Sequence, residues 1–208
     1  MCQHVVVTST RATAPGRETR DRILETAWEL VATYGLDAVR VADVATAAGV
    51  SRQLVYAHFA NRAGLLTAMA RHRDRSTGFA DRVAAAAERE PVEALGALLR
   101  AWCEHLPEIV PVARALEAAA AAGAEGAEVW RDRMAALHDT FRVAVARVEA
   151  DGRLARGWRV ATAADWAWAR CHVSTYQHLV VECGWDPRDY TDWTVADLLD
   201  RLVSRETG

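Results

Sequence analysis

The segment from residue 20 to residue 68 constrains the fold more than any other part of the chain. It contains three short amphipathic patterns and the start of a fourth. Apolar residues recur at steps of three and four in the first pattern: Ile23, Ala27, Leu30, Val31 and Tyr34. This stripe predicts a helix from about Arg17 to Tyr34, closed by Gly35, which can adopt the left-handed backbone conformation.

The next two patterns are joined by a tight turn. We expect a second helix from about Val41 to Ala48, a sharp turn at Gly49, and a third helix capped by the hydroxyl of Ser51. On the third helix Val55 and Phe59 are four residues apart, so they share the face that points inward. This spacing is typical of a helix-turn-helix and predicts sequence-specific DNA binding.

The outward face of the third helix carries residues suited to the major groove. Arginine can pair with guanine and glutamine with adenine, while apolar side chains can contact a thymine methyl group. Other polar and cationic residues nearby could fix the register through phosphates. The predicted DNA-contacting residues are Arg40, Ser51, Arg52, Gln53, Leu54, Tyr56, Ala57, His58 and Arg62.

Four short motifs carry a resemblance to a known family. They are VADVA at 41–45, AAGVS at 47–51, VYAHF at 55–59 and NRAGLL at 61–66. The pattern resembles the tetracycline-repressor (TetR) family of one-component transcriptional regulators. The resemblance implies an all-α fold with an N-terminal three-helix DNA-binding domain and a C-terminal helical domain for ligand binding and dimerisation.

The expected domain organisation has three parts. Residues 1–16 form a flexible arm, residues 17–66 form the helix-turn-helix domain, and residues 80–208 form the effector-binding and dimerisation domain. The fourth helix starts at Asn61, its capping residue, and continues to about Phe79 as the connector. Later helices are predicted at 91–105, 109–122, 127–150, 162–182 and 191–204, with breaks at the prolines and glycines between them.

The resemblance implies a ligand cavity in the C-terminal domain. The aromatic residues there suit a small aromatic or lipophilic effector, although plain core packing is the alternative for each of them. Arg114 could meet an anionic effector or simply pair with Glu117. The candidate effector-binding residues are Trp102, Arg114, Trp130, Met134, His138, Phe141, Trp166, His172, Tyr176 and Gln177.

The last two predicted helices are apolar on more than one face. Such a helix must bury more than one side, and a two-fold homodimer supplies the second surface. A helix buried within one chain is the alternative. The expected interface residues are Trp168, Val173, Leu179, Val180, Trp193, Leu198, Leu199 and Leu202.

Charge and cysteine content narrow the function classes. Residues 1–75 carry ten arginines against seven acids, whereas the remainder is acidic, so DNA contact is expected at one end. The four cysteines lack CxxC spacing, and Cys171 and His172 point about 100° apart on a helix, so we expect no metal site or cofactor. No signal peptide or membrane span is evident, which favours a cytoplasmic protein.

The sequence therefore predicts a homodimeric transcriptional regulator. Repression of a palindromic operator, relieved by an effector, is what the resemblance implies, and activation stays open. A helical partner-binding protein with a vestigial head, meaning a vestigial N-terminal DNA-binding domain, is the alternative. A helical enzyme is a weaker one, because the chain contains no nucleophile elbow, Walker loop or HExxH motif.

Overall fold

The chain folds as an all-α protein. A computed structural model describes residues 14–124 and 126–204. Within those ranges β-pairing is limited to one isolated bridge between Leu154 and Val203. The α-helices are α1 (Ala14–Tyr34), α2 (Val41–Ala47), α3 (Arg52–His58), α4 (Arg62–Ser76), α5 (Phe79–Ala87), α6 (Pro91–Ala121), α7 (Ala127–Ala150), α8 (Val160–Arg170), α9 (Val173–Tyr176) and α10 (Pro187–Leu202).

Helix α1 starts earlier than the sequence pattern predicted. It begins at Ala14 rather than Arg17, and it includes Pro15 in its first turn. Proline is tolerated there because the N–H groups of a first turn have no partner within the helix. The predicted flexible arm at 1–16 therefore overlaps α1, and the rest of that prediction, residues 1–13, lies outside the described residues.

Helix α6 runs through two positions where the sequence predicted a break. Pro107 and Pro111 both lie inside this single helix of 31 residues. Each proline removes a backbone donor, at a cost of about 3 kcal/mol in a helix interior. The helix persists because it is the central element of the C-terminal domain, where it packs against α1, α5, α7, α9 and α10. Burial of its apolar residues outweighs the local penalty.

The predicted helix 162–182 is interrupted. Helix α8 ends at Arg170, and a short α9 leads into a π-helical turn at Gln177–Glu182. The indole N–H of Trp102 donates to the carbonyl oxygen of Cys171 over 2.7 Å. A continuing helix would need that carbonyl for the N–H of Thr175, which instead donates to His172. Trp102, from another helix, thus satisfies the carbonyl that the break leaves without its helical partner.

The head, residues 14–66, and the body, the helices from α5 onward, share one apolar core. Buried residues of α1 and α4 belong to the same cluster as those of α6 and α7. Where the head meets α7, Gly126 has a φ of +103°, and an added Cβ would lie 2.7 Å from a methyl carbon of Leu36. Glycine suits this position because its φ is one that L side chains rarely adopt, and because an added Cβ would displace the Leu36 side chain. The head is therefore packed directly against the body.

Candidate functional site

The helices of the head begin at capping residues that the sequence identified. The Ser51 hydroxyl accepts from the N–H of Leu54 over 3.1 Å, and the Asn61 side chain accepts from the N–H of Gly64 over 2.8 Å. At Arg40 the cap is reversed, because the Asp43 carboxylate accepts from the Arg40 N–H. These bonds fix where α2, α3 and α4 begin, and so fix the direction of α3.

Helix α3 has a buried side and a solvent side. Val55 and the adjoining Phe59 are buried and anchor the helix to the head, as predicted. The turn before it is made by Gly49, with a φ of +66°. His58 is half-buried, with its ring near that of Phe59. The fully outward residues of this helix and its cap are Ser51, Arg52, Gln53, Leu54, Tyr56 and Ala57.

A concave surface lies beside this face. Arg40, Arg52 and Tyr56 line it together with Asp37 and Arg62, around a space of ≈ 550 Å³. Arg40 precedes α2 and Arg52 begins α3, and folding brings their exposed guanidinium groups to one surface. Such a surface can hold phosphate oxygens beside an inserted recognition helix.

The guanidinium group of Arg62 faces the protein. It donates from Nη2 to the carbonyl oxygen of Leu36 over 2.5 Å and from Nε and Nη2 to that of Val39 over 3.3 and 3.1 Å. These carbonyls belong to the α1–α2 loop. This geometry gives Arg62 a structural role, holding that loop against α4, and argues against the predicted phosphate contact.

The body contains an apolar cavity of ≈ 190 Å³ between α1, α4, α5, α6 and α7. Aromatic side chains form much of its wall, and one acidic and one basic residue lie at its edge. The lining residues are Trp28, Ala70, Asp74, Phe79, Val83, Leu98, Trp102, Ile109, Val112, Ala113, Leu116, Trp130, Arg133, Met134, Ala136, Leu137 and Thr140. Because α1 and α4 belong to the head and the connector, a ligand here would contact the elements that carry α3.

A partly buried polar cluster joins three helices at this cavity. Asp74 on α4 accepts from Arg133 on α7 and lies 3.2 Å from Nε2 of His105 on α6. His105 is fully buried, stacked on Phe79 with ring centroids 4.4 Å apart, and its Nδ1 is 3.3 Å from the Thr77 hydroxyl. Removing charges partly from water is costly unless they are paired, so the cluster ties the end of α4 to the body.

Comparison with known proteins shows which family the chain resembles. The model for bacterial regulatory proteins of the tetR family matches residues 23–69. A solved TetR-family transcriptional regulator from Rhodococcus sp. is 26% identical, covering 90% of this chain and 100% of its own, with a TM-score of 0.74. Residues 23–69 thus match a TetR-family DNA-binding domain, and the whole chain shares the fold of a TetR-family transcriptional regulator.

Two further solved structures share this fold. NalD, the secondary repressor of the MexAB-OprM multidrug efflux pump in Pseudomonas aeruginosa, is 24% identical over 93% of this chain and 100% of its own, with a TM-score of 0.69. A transcriptional regulator from Saccharomonospora viridis, solved in complex with choline, is 22% identical over 91% and 100%, with a TM-score of 0.71. No curated protein matches by sequence. The relatives are regulators rather than enzymes, which sets aside the helical-enzyme alternative.

The structure places three of the ten candidate effector residues on the cavity wall: Trp102, Trp130 and Met134. His138 and His172 instead line a separate depression with Trp168. The depression and the cavity share Trp130 and Met134, which lie between them.

The other five candidates lie away from the cavity. Arg114 is exposed on the outer face of α6, and Phe141 is fully buried in the core. Trp166 is partly exposed beside Trp158, Tyr176 packs against Tyr190, and Gln177 bonds to Glu182. These five side chains do not line the cavity, because the sequence could not show which helix faces would enclose it.

The predicted interface residues differ in how exposed they are. Val173, Leu198 and Leu202 are fully buried inside the protomer, so they cannot face a partner. Trp193 is 69% exposed on α10, whereas Trp168, Leu179, Val180 and Leu199 are partly buried against the core. The sequence missed Val181 and Trp185, which are exposed apolar residues in the same C-terminal region.

The cysteine and histidine residues do not form a metal-binding cluster within the described ranges. Folding does bring Cys103 and Cys171 together in the core. The hydrogen bond with Cys103, and then burial, raise the pKa of the Cys171 thiol well above its ordinary value, which disfavours the reactive thiolate. Among the described helices none is long and apolar enough to cross a bilayer.

Proposed function

We propose that this regulator is a homodimeric repressor that binds a palindromic operator through α3 and is released by a small lipophilic effector in the body cavity. One observation carries the proposal: α4 both leads out of the helix-turn-helix and forms part of the cavity wall. A ligand that favours one position of α4 also selects a position of α3.

The proposed DNA contacts are those of the exposed face. Arg52 and Gln53 pair with base edges, Leu54 and Ala57 contact thymine methyl groups, and Arg40, Ser51, Tyr56 and His58 contact phosphates. The exposure of all except the half-buried His58 supports these roles. Arg62 is omitted because its guanidinium group donates to loop carbonyls.

The domain boundaries of the proposal follow the packing. The DNA-binding head ends near residue 66, α4 continues to Ser76 as the connector, and the effector-binding and dimerisation body begins with α5. Dimerisation through α8 and α10 is supported by the exposed Trp166, Trp185 and Trp193, since tryptophan is enriched at protein interfaces.

Geometry sets a requirement on the dimer. Two heads reading successive major grooves must be separated by about 34–36 Å, or a multiple of it. An effector acts by stabilising a conformer in which that spacing is lost, and a coupling of about 1–3 kcal/mol between the two sites is typical.

The deciding experiment is selection of bound sequences from a random duplex pool at near-physiological salt, with the oligomeric state measured on the same sample. A single palindromic motif bound by two protomers is the expected result. Absence of any enriched sequence, repeated at low salt, would overturn the proposal in favour of a partner-binding helical protein with a vestigial head.

A further inference from the structure

We propose that the body cavity accepts a small monoanionic aromatic ligand and that Arg133 recognises its acidic group in competition with Asp74. This inference rests on the proposed function of the cavity as the effector site. It adds the charge, the size and the selecting residue of the ligand.

The polar edge of the cavity is asymmetric in its bonding. Asp74 uses both carboxylate oxygens: one accepts from Arg133 and the other lies 3.2 Å from Nε2 of His105. Arg133 is bound to Asp74 through Nη2 alone among the contacts of the described residues. A guanidinium group carries five N–H donors, so Arg133 retains donors for a second acceptor.

This asymmetry favours an anion over a cation. When an anionic ligand binds Arg133, Asp74 can give up its bond to Arg133 and still keep His105 as a partner. When a cationic ligand binds Asp74 instead, Arg133 loses its carboxylate, and among the described residues no other acidic side chain is in the cavity wall. Leaving a partly buried charge without a partner is costly, so the cavity discriminates against cations.

The remaining wall sets the size and shape of the ligand. An apolar protein cavity of about 150 Å³ holds benzene, and this one is ≈ 190 Å³. It therefore has room for one ring with a few further atoms. Trp28, Phe79, Trp102 and Trp130 in the wall offer flat faces for such a ring.

Ligand binding at Arg133 has a structural consequence. Asp74 lies near the end of α4 and Arg133 lies on α7, so their bond is a link between connector and body. A ligand carboxylate that takes over Arg133 weakens that link while leaving the Asp74–His105 contact. The same competition thus connects recognition of the acidic group to the position of α4.

The test uses three probes of matched shape: 4-ethylbenzoate, 4-ethylbenzamide and 4-ethylbenzamidine, which is a cation at neutral pH. Binding to the full chain is measured by calorimetry and by quenching of tryptophan fluorescence. We expect the benzoate to bind at least tenfold more tightly than the amide, and the amidinium to bind most weakly.

Two variants and a control assign the preference to residues. Arg133→Gln should abolish the benzoate preference, since it removes the charge but keeps an amide donor for Asp74. Asp74→Asn should tighten benzoate binding severalfold, because the competing carboxylate is gone. Arg131→Gln, an exposed neighbour on α7 outside this cavity wall, should leave all three affinities unchanged.

Each contrary outcome has a distinct meaning. Equal binding of benzoate and amide, or preference for the amidinium, would overturn the anion inference while leaving the cavity as an effector site. Failure of all three probes to bind would overturn both the inference and the effector role. DNA binding is judged independently by the duplex selection.

Discussion

The head and the body present their functional residues in opposite directions. On α3 the proposed contact residues point to solvent and come from one short helix fixed by its own caps. In the body the cavity residues point inward and come from five separate helices. A surface built from one element depends on local bonds, whereas a cavity depends on every element around it. Substitutions should therefore act differently in the two regions.

The largest effect is expected at the proposed dimer surface of the body. Trp193→Asp places a charge where a partner would pack, and the two-fold axis applies it twice. A buried interface tryptophan typically contributes about 2 kcal/mol or more, so two copies correspond to about 1,000-fold weaker dimerisation. Sedimentation or mass photometry measures the dimer, and operator affinity should fall with it.

Val143→Asp is the matched control for this change. Val143 is also an exposed apolar residue, at 58%, but it lies on α7 beside the α5–α6 side of the body. The Val143→Asp substitution should leave the dimer intact. A dimer unaffected by Trp193→Asp would remove α10 from the interface.

The second prediction tests whether Arg62 stabilises the head or contacts DNA. Arg62→Ala removes the bonds to the carbonyls of Leu36 and Val39, and hydrogen bonds to charged groups contribute about 1.5–3 kcal/mol. Thermal or urea unfolding should show a loss of that size. The salt dependence of DNA binding should be unchanged.

Arg62→Lys separates the two possible roles of this residue. Lysine keeps the charge but lacks the planar fork that reaches two carbonyls, so stability should still fall. If the lysine variant is fully stable and the alanine variant instead flattens the salt slope, Arg62 contacts phosphate as the sequence suggested.

A smaller and more selective effect is expected on α3. Arg52→Ala should weaken operator binding by about 1–3 kcal/mol and relax the preference at one base position. Folding should be unaffected because the side chain is exposed. Repeating the duplex selection with this variant checks the assignment, with Arg156→Ala in the body as the control; an unchanged motif would contradict base contact.

The smallest effect concerns pH and the body. Burial lowers the pKa of His172, partly offset by Glu117, whose carboxylate is 3.8 Å from Nδ1. The neutral ring accepts the Ser174 N–H at the start of α9. The unfolded chain therefore protonates His172 more readily than the folded chain does. The stability that neutral His172 contributes is fully present above its unfolded pKa of 6.5 and is lost as pH falls toward the lower folded pKa.

Unfolding curves on either side of that window measure this contribution. His172→Asn keeps a capping side chain without a titrating group, so its stability should fall less on acidification than that of the parent chain. Identical pH dependence in the two proteins would show that His172 does not contribute.

The accuracy of the sequence predictions follows the same division. The bounds of α7 and the caps at Ser51 and Asn61 were predicted correctly, because helical periodicity and capping depend on neighbouring residues. The break after Arg170 was missed, and the carbonyl that it frees is satisfied by Trp102, which is far along the chain. The Asp74–Arg133–His105 cluster was missed for the same reason, since no sequence spacing links those positions.

The sequence by itself determined the all-α class, the helix-turn-helix and the outward face of α3, since each is encoded within a few turns of chain. Tertiary structure alone decided that α6 continues through its prolines, that Arg62 faces the α1–α2 loop, and which aromatic residues enclose the cavity. Those outcomes depend on contacts between distant segments. Their free energy outweighs local preference only when the segments meet in the folded core.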